Sequence, residues 1–501
     1  MKRRDFVKYS SLATLPLILK SCDWASSDLE VPIKVFTDIH TGHLVYESIN
    51  YPKAEAGSVD YLIVGGGIAG LSAAYQLRDK NMLLLELSEN LGGTSSSSFH
   101  GDIPFCQGAH YDLEYPENYG QEVLSVLKEL GVIEYKDWKK SWSFKDKQHI
   151  IAPRRKSQCY AYGEIRNEVL PEGSELDSFR KILVPFEGRM IMPTSDIDSD
   201  LSYLNDITFY NFLTERMEVS TSFKRGIDYH MLDDWGGTSE QVSALAGIHY
   251  FQCRPYEKQV VDLFSPPEGN GYFIDKLAEQ VSTEKLKTSH LVKQIKSETG
   301  GFSVEVVDVE GKIVQVYKAR HVIYAGHKHA LKYIMPSQYK LFEANEYAPW
   351  LVLNFVLREP LEGLGYWQNE MLVEDETFMG FVDSSLQAGD PDKQILTAYY
   401  CLPPSAREDL KNVEANREVI TEKTQSYLEQ YFNKSLSGRI EAVYIKVMGH
   451  AMPIPKPGYL LNDVNENRAF KNLTFAGVDN ARLPLFFEAM DSGIQAVKAF
   501  V

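Results

Sequence analysis

Closely spaced glycines form the first group of residues whose chemistry can be named. They follow the apolar run 59–64, and they are Gly65, Gly67 and Gly70. In this spacing the first glycine permits a tight turn, the second lets the backbone approach a diphosphate, and the third lets a helix pack closely on a strand. The free amides at the start of that helix, at Ile68 and Ala69, attract phosphate. The spacing therefore predicts a dinucleotide site.

An acidic residue stands where such a site needs one. Glu86 follows the apolar run 82–85 and lies 16 residues after Gly70. A carboxylate at the end of the second strand is suited to bind a ribose hydroxyl. The segment 68–78, between the two apolar runs, has the pattern of an amphipathic helix. Strand, glycine turn, helix and strand together predict one βαβ unit of a Rossmann-like domain.

The residues after Glu86 carry a family resemblance. The segment 86–95 resembles the extended motif of the FAD-dependent flavin amine oxidase-like superfamily, which includes monoamine and polyamine oxidases, phytoene desaturase and protoporphyrinogen oxidase. The resemblance implies FAD contacts at Gly92, Gly93, Thr94 and Ser95. Many members have an arginine where this chain has Thr94, so one phosphate contact is missing or replaced. The segment 107–110 resembles the later flavin-contacting loop, with Gly108, Ala109 and His110 as its contacts.

The C-terminal segment resembles the closing FAD motif of the same superfamily. A predicted strand, 472–476, leads to Gly477 and Asp479, and a predicted helix follows at 488–500. The resemblance implies that Asp479 meets the ribityl or phosphate part of FAD. It also implies that the helix, which begins at Glu488, turns its amides to the pyrimidine edge, where negative charge develops on reduction. Further residues assigned to FAD are Val292, Ala325, Gly326 and Gly493.

The substrate side of the flavin departs from the superfamily pattern. The proline-rich stretch that contains His450 resembles the one near the flavin in these proteins. Amine-oxidase relatives also carry a lysine that is bonded through water to flavin N5, but this chain has no lysine between Lys340 and Lys393. The matching strand offers only Trp350 and Asn354. Oxidation by oxygen and electron transfer to another acceptor therefore both stay open.

Aromatic and acidic side chains offer ways to hold a substrate. Phe486 and Phe487 join the candidates for the flavin face, because an aromatic pair can form a sleeve for a neutral amine or a cage for a cation. In a chain with 12% aromatic residues, either one is equally at home in the core. We assign His249 to a hydrogen-bonded core position. The acidic pair 233–234 is either a cation site or a solvated turn.

The cysteines limit metal binding and cofactor attachment. Beyond the N-terminus they are Cys106, Cys159, Cys253 and Cys401. They are far apart and lack the spacing of a zinc site or a redox motif, so no metal is predicted. No cysteine follows Cys401, so we expect FAD to be held non-covalently.

The first residues resemble an export signal. A basic head is followed by the apolar stretch 12–19, and the head contains Arg3, Arg4, Phe6 and Lys8. This arrangement resembles a twin-arginine signal, and Cys22 behind it resembles the lipidated residue of a bacterial lipoprotein. We therefore expect export to the periplasm or cell envelope, with a lipid anchor at Cys22. The alternative is an ordinary basic N-terminus on a cytoplasmic protein.

Charge and hydropathy exclude some partners. The chain has a net charge of −17, and residues 1–22 are themselves basic, so the exported form is more acidic still. Such a surface argues against nucleic acid and mildly favours cationic partners, although simple solubility explains it as well. No apolar run reaches the roughly 18 residues that span a bilayer.

These motifs predict an α/β fold. It consists of a discontinuous, Rossmann-like FAD-binding domain with an inserted mixed α+β substrate-binding domain. After the signal 1–22 and a tether with a small hairpin at 23–56, the FAD-binding domain takes 57–115, 262–330 and 440–501. The substrate-binding domain takes 116–261 and 331–439. Further predicted strands are 287–296, 302–307, 312–318, 319–325, 351–357 and 395–402, and further predicted helices are 120–130, 271–281 and 413–432.

Three functions agree with these features. The first is oxidation of the C–N bond of an amine, with a polyamine as one such substrate, by hydride transfer to flavin N5. The second is desaturation of a C–C bond in an apolar molecule. The third is a lipoprotein that holds FAD as an electron relay for a partner protein.

Overall fold

The computed structural model describes residues 31–108, 119–151, 157–253, 263–361, 365–388, 394–465 and 471–500. The predicted signal at 1–22, its lipidation site Cys22, and the predicted FAD contacts Ala109 and His110 lie outside these ranges.

The helices and strands of the described residues follow one another along the whole chain. The helices are α1 (Ile39–His43), α2 (Ile68–Gln76), α3 (Gln121–Glu129), α4 (Ser174–Leu183), α5 (Phe209–Thr214), α6 (Thr221–Trp235), α7 (Ala244–Gln252), α8 (Gly271–Ala278), α9 (Leu331–Ile334), α10 (Pro336–Tyr339), α11 (Ser385–Ala388), α12 (Arg417–Phe432) and α13 (Phe486–Lys498). The strands are β1 (Ile33–Phe36), β2 (Lys53–Val64), β3 (Met82–Leu85), β4 (Ser97–His100), β5 (Ile103–Cys106), β6 (Ile133–Lys136), β7 (Ser141–Phe144), β8 (Ile150–Ile151), β9 (Ser157–Ala161), β10 (Glu164–Arg166), β11 (Leu263–Phe264), β12 (Leu286–Lys287), β13 (His290–Glu298), β14 (Gly301–Asp308), β15 (Ile313–Tyr324), β16 (Tyr347–Leu357), β17 (Gln368–Leu372), β18 (Phe378–Asp383), β19 (Ile395–Cys401), β20 (Ile440–Pro453) and β21 (Leu473–Phe475).

A seven-stranded sheet forms the nucleotide-binding half of the molecule. Its order is β12-β3-β2-β15-β14-β13, with β21 beside β15. The strands β12, β3, β2, β15 and β21 pair in parallel, whereas β13 and β14 are antiparallel additions. Next to the glycine turn the parallel strands are buried and apolar, at residues 62–64 of β2 and throughout β3, as is usual for a parallel sheet with helices on its faces. Helices α2 and α13 pack against each other on this sheet.

An eight-stranded sheet forms the other half, in the order β1-β20-β16-β19-β18-β17-β9-β10. Strand β16 is buried along its whole length between β20 and β19. Residues 440–453 form β20 and therefore belong to this sheet. The predicted FAD-binding domain had included them. The predicted hairpin near the N-terminus is also wrong, because β1 pairs in parallel with β20 and then leads into α1.

Most other predicted elements are present with ends shifted by a few residues. The predicted strands 312–318 and 319–325 are one continuous strand, β15, because β2 and β14 pair along its length. The helix predicted from 488 begins at Phe486. The α/β class is confirmed. Within the described ranges, no helix combines the length and the apolar character needed to cross a membrane.

Candidate active site

The glycine turn joins β2 to α2 with no room for a side chain. Gly65 has a φ of +102°, and a Cβ on it would lie 2.9 Å from the backbone of Ala325. A Cβ on Gly70 would lie 1.8 Å from the carbonyl oxygen of Gly65. Either clash would push α2 away from the strands, because backbone atoms cannot move aside as a flexible side chain does. The two glycines therefore set the distance between helix and sheet.

Gly67 and Gly93 leave an open cradle in front of the helix. Gly67 pairs with Gly92 in a short parallel bridge. A Cβ on Gly67 or on Gly93 would meet its nearest atom only at 3.7 Å, so this surface is free for a ligand. Helix α2 has no side-chain cap, which leaves its first amides, at Ile68 and Ala69, without a capping partner. Free amides and the positive end of the helix dipole favour a diphosphate here.

Glu86 is buried at the end of β3, beside the cradle. Its carboxylate accepts hydrogen bonds from the backbone N–H of Gly66 at 2.5 Å and of Ser88 at 2.9 Å. Burial raises the pKa of Glu86, and these two hydrogen bonds oppose the rise. Val292 lies on the same stretch of the cavity wall. The arrangement suits an adenosine, with Glu86 at its ribose.

The loop after Gly93 reaches towards the other sheet. Thr94, Ser95 and Gly108 line the cavity. A Cβ on Gly108 would lie 2.0 Å from the carbonyl oxygen of Thr94, so the two segments touch backbone to backbone. The same Cβ on Gly108 would lie 3.6 Å from the sulfur of Met448 on β20. The cavity thus passes from the nucleotide-binding half to the eight-stranded sheet at this point.

The C-terminal motif closes the cavity on another side. Gly477 has a φ of +118° and lines the wall together with Ala325 and Gly326. Asp479 is buried behind it and receives hydrogen bonds from Lys328, at 2.8 Å from both the ammonium and the backbone N–H. Burial favours a higher pKa for Asp479, but the charge of Lys328, the nearby His327 and the two hydrogen bonds from Lys328 together outweigh it, and the pKa lies below its usual value. Asp479 is therefore ionised and held in place.

Lys328 is a residue of the site that no sequence pattern predicts. Its side chain is fully buried, and its ammonium also donates to the carbonyl oxygens of Ala476, at 2.6 Å, and Gly326, at 3.2 Å. Tyr347 donates its hydroxyl to Asp479 at 3.0 Å. A lysine between two histidines after a strand carries no motif that would announce this role.

Two residues assigned to FAD from the sequence serve the protein interior instead. Glu488 is fully buried, accepts the backbone N–H of Thr194 at 2.7 Å and lies 3.2 Å from Arg482. A Cβ on Gly493 would lie 2.1 Å from the carbonyl oxygen of Ala69. Glu488 thus neutralises a buried cation, and Gly493 lets α13 lie close against α2. Neither lines the cavity.

The beginning of α13, by contrast, does reach the cavity. Leu485 and Phe486 line the wall, and the helix has no side-chain cap, so its first amides are available to a ligand. Phe487 turns the other way and stacks on Tyr119, with ring centroids 3.5 Å apart. The prediction that Phe487 faces the flavin is therefore wrong, because Phe487 belongs to the core.

Of the other substrate-side candidates, Trp350 and His450 line the cavity. Asn354 lies beneath the wall, where its oxygen accepts the hydroxyl hydrogen of Thr397 at 2.7 Å, and Thr397 itself lines the cavity. Asn354 therefore acts behind the wall and not at its surface. His249 is a core residue, as predicted, with its Nε2 3.2 Å from the carbonyl oxygen of Ile191.

A cluster of histidines stands between the Asp479 loop and the flavin end of the cavity. His329 and His450 stack with ring centroids 3.6 Å apart and an interplanar angle of 11°. Burial is the main cause that lowers the pKa of both, and His327 and Arg407 lower it further, to about 3 for His329; His329 also lowers the pKa of His450. Both rings are therefore neutral at pH 7 and can accept or donate one hydrogen bond each.

The cavity is larger than a site for one small molecule requires. Its volume is about 1710 Å³, whereas single-ligand pockets usually measure about 300–1,000 Å³. Beyond the flavin end, Trp350 and Tyr399 stack with ring centroids 5.5 Å apart, and the carboxylates of Asp233 and Glu370 lie on the same wall. The volume leaves room for a substrate beside a dinucleotide.

The residues present fit FAD. The glycine cradle and the start of α2 would hold the diphosphate, and Glu86 would bind the ribose. The start of the Asp479 loop and the start of α13 would contact the ribityl chain and the flavin ring. Across the described residues, no group of three or more histidine, cysteine, aspartate or glutamate side chains could hold a metal ion. The four described cysteines, Cys106, Cys159, Cys253 and Cys401, are buried.

Fold and site together define an FAD-dependent oxidoreductase. Residues 68–495 match the flavin-containing amine oxidoreductase family, and the chain belongs to that family. FAD is thus the cofactor, as the sequence predicts. No curated protein matches the chain.

Solved structures share the fold at low identity. A putrescine oxidase variant is 15% identical, with a TM-score of 0.65, over 89% of this chain and 99% of its own. Cyclohexylamine oxidase from Brevibacterium oxydans IH-35A is 16% identical, with a TM-score of 0.64, over 88% and 98%. A protein from Exiguobacterium sp. 255-15 that is assigned as a protoporphyrinogen oxidase is 14% identical, with a TM-score of 0.59, over 89% and 99%.

Proposed function

We propose that the protein oxidises the C–N bond of an amine, with a diamine or polyamine as the best substrate. The observation that carries this proposal is the shared cavity, in which the flavin-side residue His450 and the aromatic wall of Trp350 and Tyr399 lie together with two carboxylates, Asp233 and Glu370. Aromatic faces and carboxylates are the groups that bind alkylammonium ions.

The residues of this cavity supply position and a water-poor environment. FAD held in this cavity would supply the acceptor, flavin N5, for a hydride from the carbon next to the amine nitrogen. A neutral His450 offers a hydrogen-bond acceptor for the amine N–H, and it places no positive charge beside a nitrogen that must be neutral when it reacts. Trp350 and Tyr399 orient the carbon chain. Correct orientation of the reacting groups can supply a large part of an enzyme's rate acceleration.

The two carboxylates support a substrate with a second cationic group. The carboxylate of Asp233 is near enough to accept a hydrogen bond from the hydroxyl of Tyr399. Glu370 lies on β17 with only 9% of its surface exposed. An ammonium bound there remains charged, while the amine at the flavin end is neutral. A chain with two nitrogens satisfies both ends of the cavity.

The experiment is an amine panel under anaerobic conditions with an artificial electron acceptor. Monoamines, diamines and polyamines of increasing length are compared for their kcat/KM, and oxygen is then tested as the acceptor. We expect turnover with amines and a higher kcat/KM for diamines or polyamines than for monoamines of equal length. If no amine bleaches the flavin, the proposal is contradicted.

A second candidate is C–C desaturation of an apolar molecule, because one stretch of the cavity wall is apolar. That stretch consists of Leu170, Leu176, Phe179, Leu183 and Val184, on and around α4. Anaerobic flavin bleaching by partly hydrogenated polycyclic or polyene compounds, with none by amines, would favour this candidate over the first.

The place of action follows from the N-terminal residues and is also a proposal. We infer export by the twin-arginine route and a lipid anchor at Cys22, which would bring the enzyme near membrane-bound electron acceptors. Labelling with a radioactive fatty acid tests this: the native chain should be labelled, and Cys22→Ala should not.

A further inference from the structure

Lys446 is the cation of β20 that faces the loop of the nucleotide-binding half. It lies between Tyr444 and Met448 on one face of the strand, because alternate residues of a strand point the same way. Tyr444 stacks on Phe105, and Met448 approaches Gly108. Lys446 lines the cavity between these contacts, with 12% of its side chain exposed.

The ammonium of Lys446 lies at the AMP end of the cavity. Its Nζ is 3.3 Å from a carboxylate oxygen of Asp38, and Asp38 in turn acts electrostatically on Glu86, the predicted ribose ligand. Close by, a Cβ on Gly42 would lie 3.8 Å from the side chain of Leu87. The end of the lysine side chain is thus on the nucleotide side of the cavity and not at the flavin end.

The segment that carries Asp38 is fixed at both ends. Strand β1 pairs with β20 so that Phe36 is the partner of Lys446 itself. Further along, the ammonium of Lys293 donates to the carbonyl oxygens of Leu44 at 2.7 Å and Glu47 at 2.6 Å. Residues 33–47, which lie outside the family match, therefore hold Asp38 beside the cavity.

The diphosphate cradle needs a cation, and its own loop has none. Two phosphate charges exceed what the partial charge of one helix end can neutralise, and Thr94 is uncharged. Other described lysines and arginines on the cavity wall are engaged or exposed: Arg407 donates to the carbonyl oxygens of Tyr347 and Gly449, Lys411 pairs with Glu408, and Arg180 and Lys332 are exposed.

We propose that Lys446 binds the diphosphate of FAD across the cavity, and that it leaves Asp38 when the cofactor enters. The proposal rests on FAD as the cofactor and not on the identity of the substrate. An ammonium that moves from a carboxylate to a phosphate exchanges one anionic partner for another.

Binding of cofactor fragments to the apo-protein tests the proposal without any turnover. Lys446→Met should weaken FAD and ADP by about tenfold to a hundredfold, as expected for the loss of a charged hydrogen bond, and leave adenosine and riboflavin within about twofold. Lys446→Arg should restore FAD binding, and Lys446→Gln serves as a second uncharged variant. The matched control is Lys456→Met, which removes a surface cation paired with Glu346.

The sign of a second substitution separates phosphate binding from a structural ion pair. Asp38→Asn removes an anion near the diphosphate, so it should leave FAD affinity unchanged or raise it. Equal weakening by Asp38→Asn and Lys446→Met would overturn the proposal, because both would then act through their pair. Equal loss of adenosine binding in Lys446→Met, or unaltered FAD affinity in that variant, would also overturn it.

Discussion

His329 and His450 stack face to face, with ring centroids 3.6 Å apart, although they come from segments that are separated by more than a hundred residues. Two neutral imidazoles can lie this close, whereas two imidazolium ions would repel each other strongly. The stack therefore joins the segment after β15 to β20 only while both rings are uncharged.

This stack should make the stability of the folded protein depend on pH. The pKa of His329 falls from 6.5 in the unfolded chain to about 3 in the folded protein, chiefly through burial. The unfolded chain then binds more protons between these values, so stability is complete above the higher value and is lost as the pH falls towards the lower. The slope should approach about 1.4 kcal/mol per pH unit for each such histidine.

The measurement is Tm as a function of pH for the holoenzyme and for His329→Phe, which keeps a stacking ring but cannot titrate. The variant should show a shallower decline below neutral pH. His40→Phe, at an exposed position, is the control and should leave the slope unchanged. Parallel curves for all three proteins would refute the assignment.

The glycine turn gives a prediction with a matched control. Gly70→Ala places a methyl group 1.8 Å from the carbonyl oxygen of Gly65, so α2 must move and the diphosphate cradle with it. We expect a loss of about 1–3 kcal/mol in the free energy of unfolding, together with weaker FAD binding by titration calorimetry. Gly365→Ala adds a methyl group that meets nothing within 4 Å and should change neither quantity. Native FAD affinity in Gly70→Ala would contradict the account.

The buried pair Lys328 and Asp479 predicts a strong coupling. Lys328→Met leaves the Asp479 carboxylate buried without its cation, which should raise the pKa of that carboxyl and lower the free energy of unfolding by about 3–5 kcal/mol. The double variant Lys328→Met/Asp479→Asn removes both charges and should recover part of the loss. Chemical denaturation of the four proteins in a double-mutant cycle measures this coupling. Additive effects would show that the two residues act independently.

Substrate preference should depend on Asp233. Asp233→Asn removes a carboxylate from the cavity wall, so it should lower kcat/KM for diamines by about tenfold to a hundredfold, as for the loss of a charged contact. Monoamines of the same length should be much less affected. Glu376→Gln, which changes an exposed carboxylate paired with Arg225, is the control. An equal loss for both classes of amine would mean that Asp233 supports the wall and does not recognise the second nitrogen.

The predicted site residues that the structure gathers around the cavity depend on local backbone geometry. Gly65, Gly70, Gly92 and Gly477 must be glycine, because only glycine fits their positive φ angles or close backbone contacts. Glu86 follows from the same unit, since it ends the strand next to the turn. Such features repeat wherever a dinucleotide is bound.

The parts that sequence analysis missed depend on how distant segments pack. Whether Phe486 or Phe487 faces the cavity depends on the rotation of α13 where it packs against α2, with Gly493 close to the backbone of Ala69. Lys328, His329 and Lys446 acquire their surroundings only when β15, β16 and β20 come together. No spacing along the chain encodes these contacts.

The central claim is that an amine transfers a hydride from the carbon next to its nitrogen to the flavin. The most direct test is anaerobic single-turnover reduction of the holoenzyme by a diamine, compared with the same diamine carrying deuterium on the carbons next to nitrogen. We predict bleaching of the visible flavin absorbance that is slower with the deuterated diamine. No bleaching by any amine, with rapid bleaching by a partly hydrogenated apolar compound, would contradict the claim.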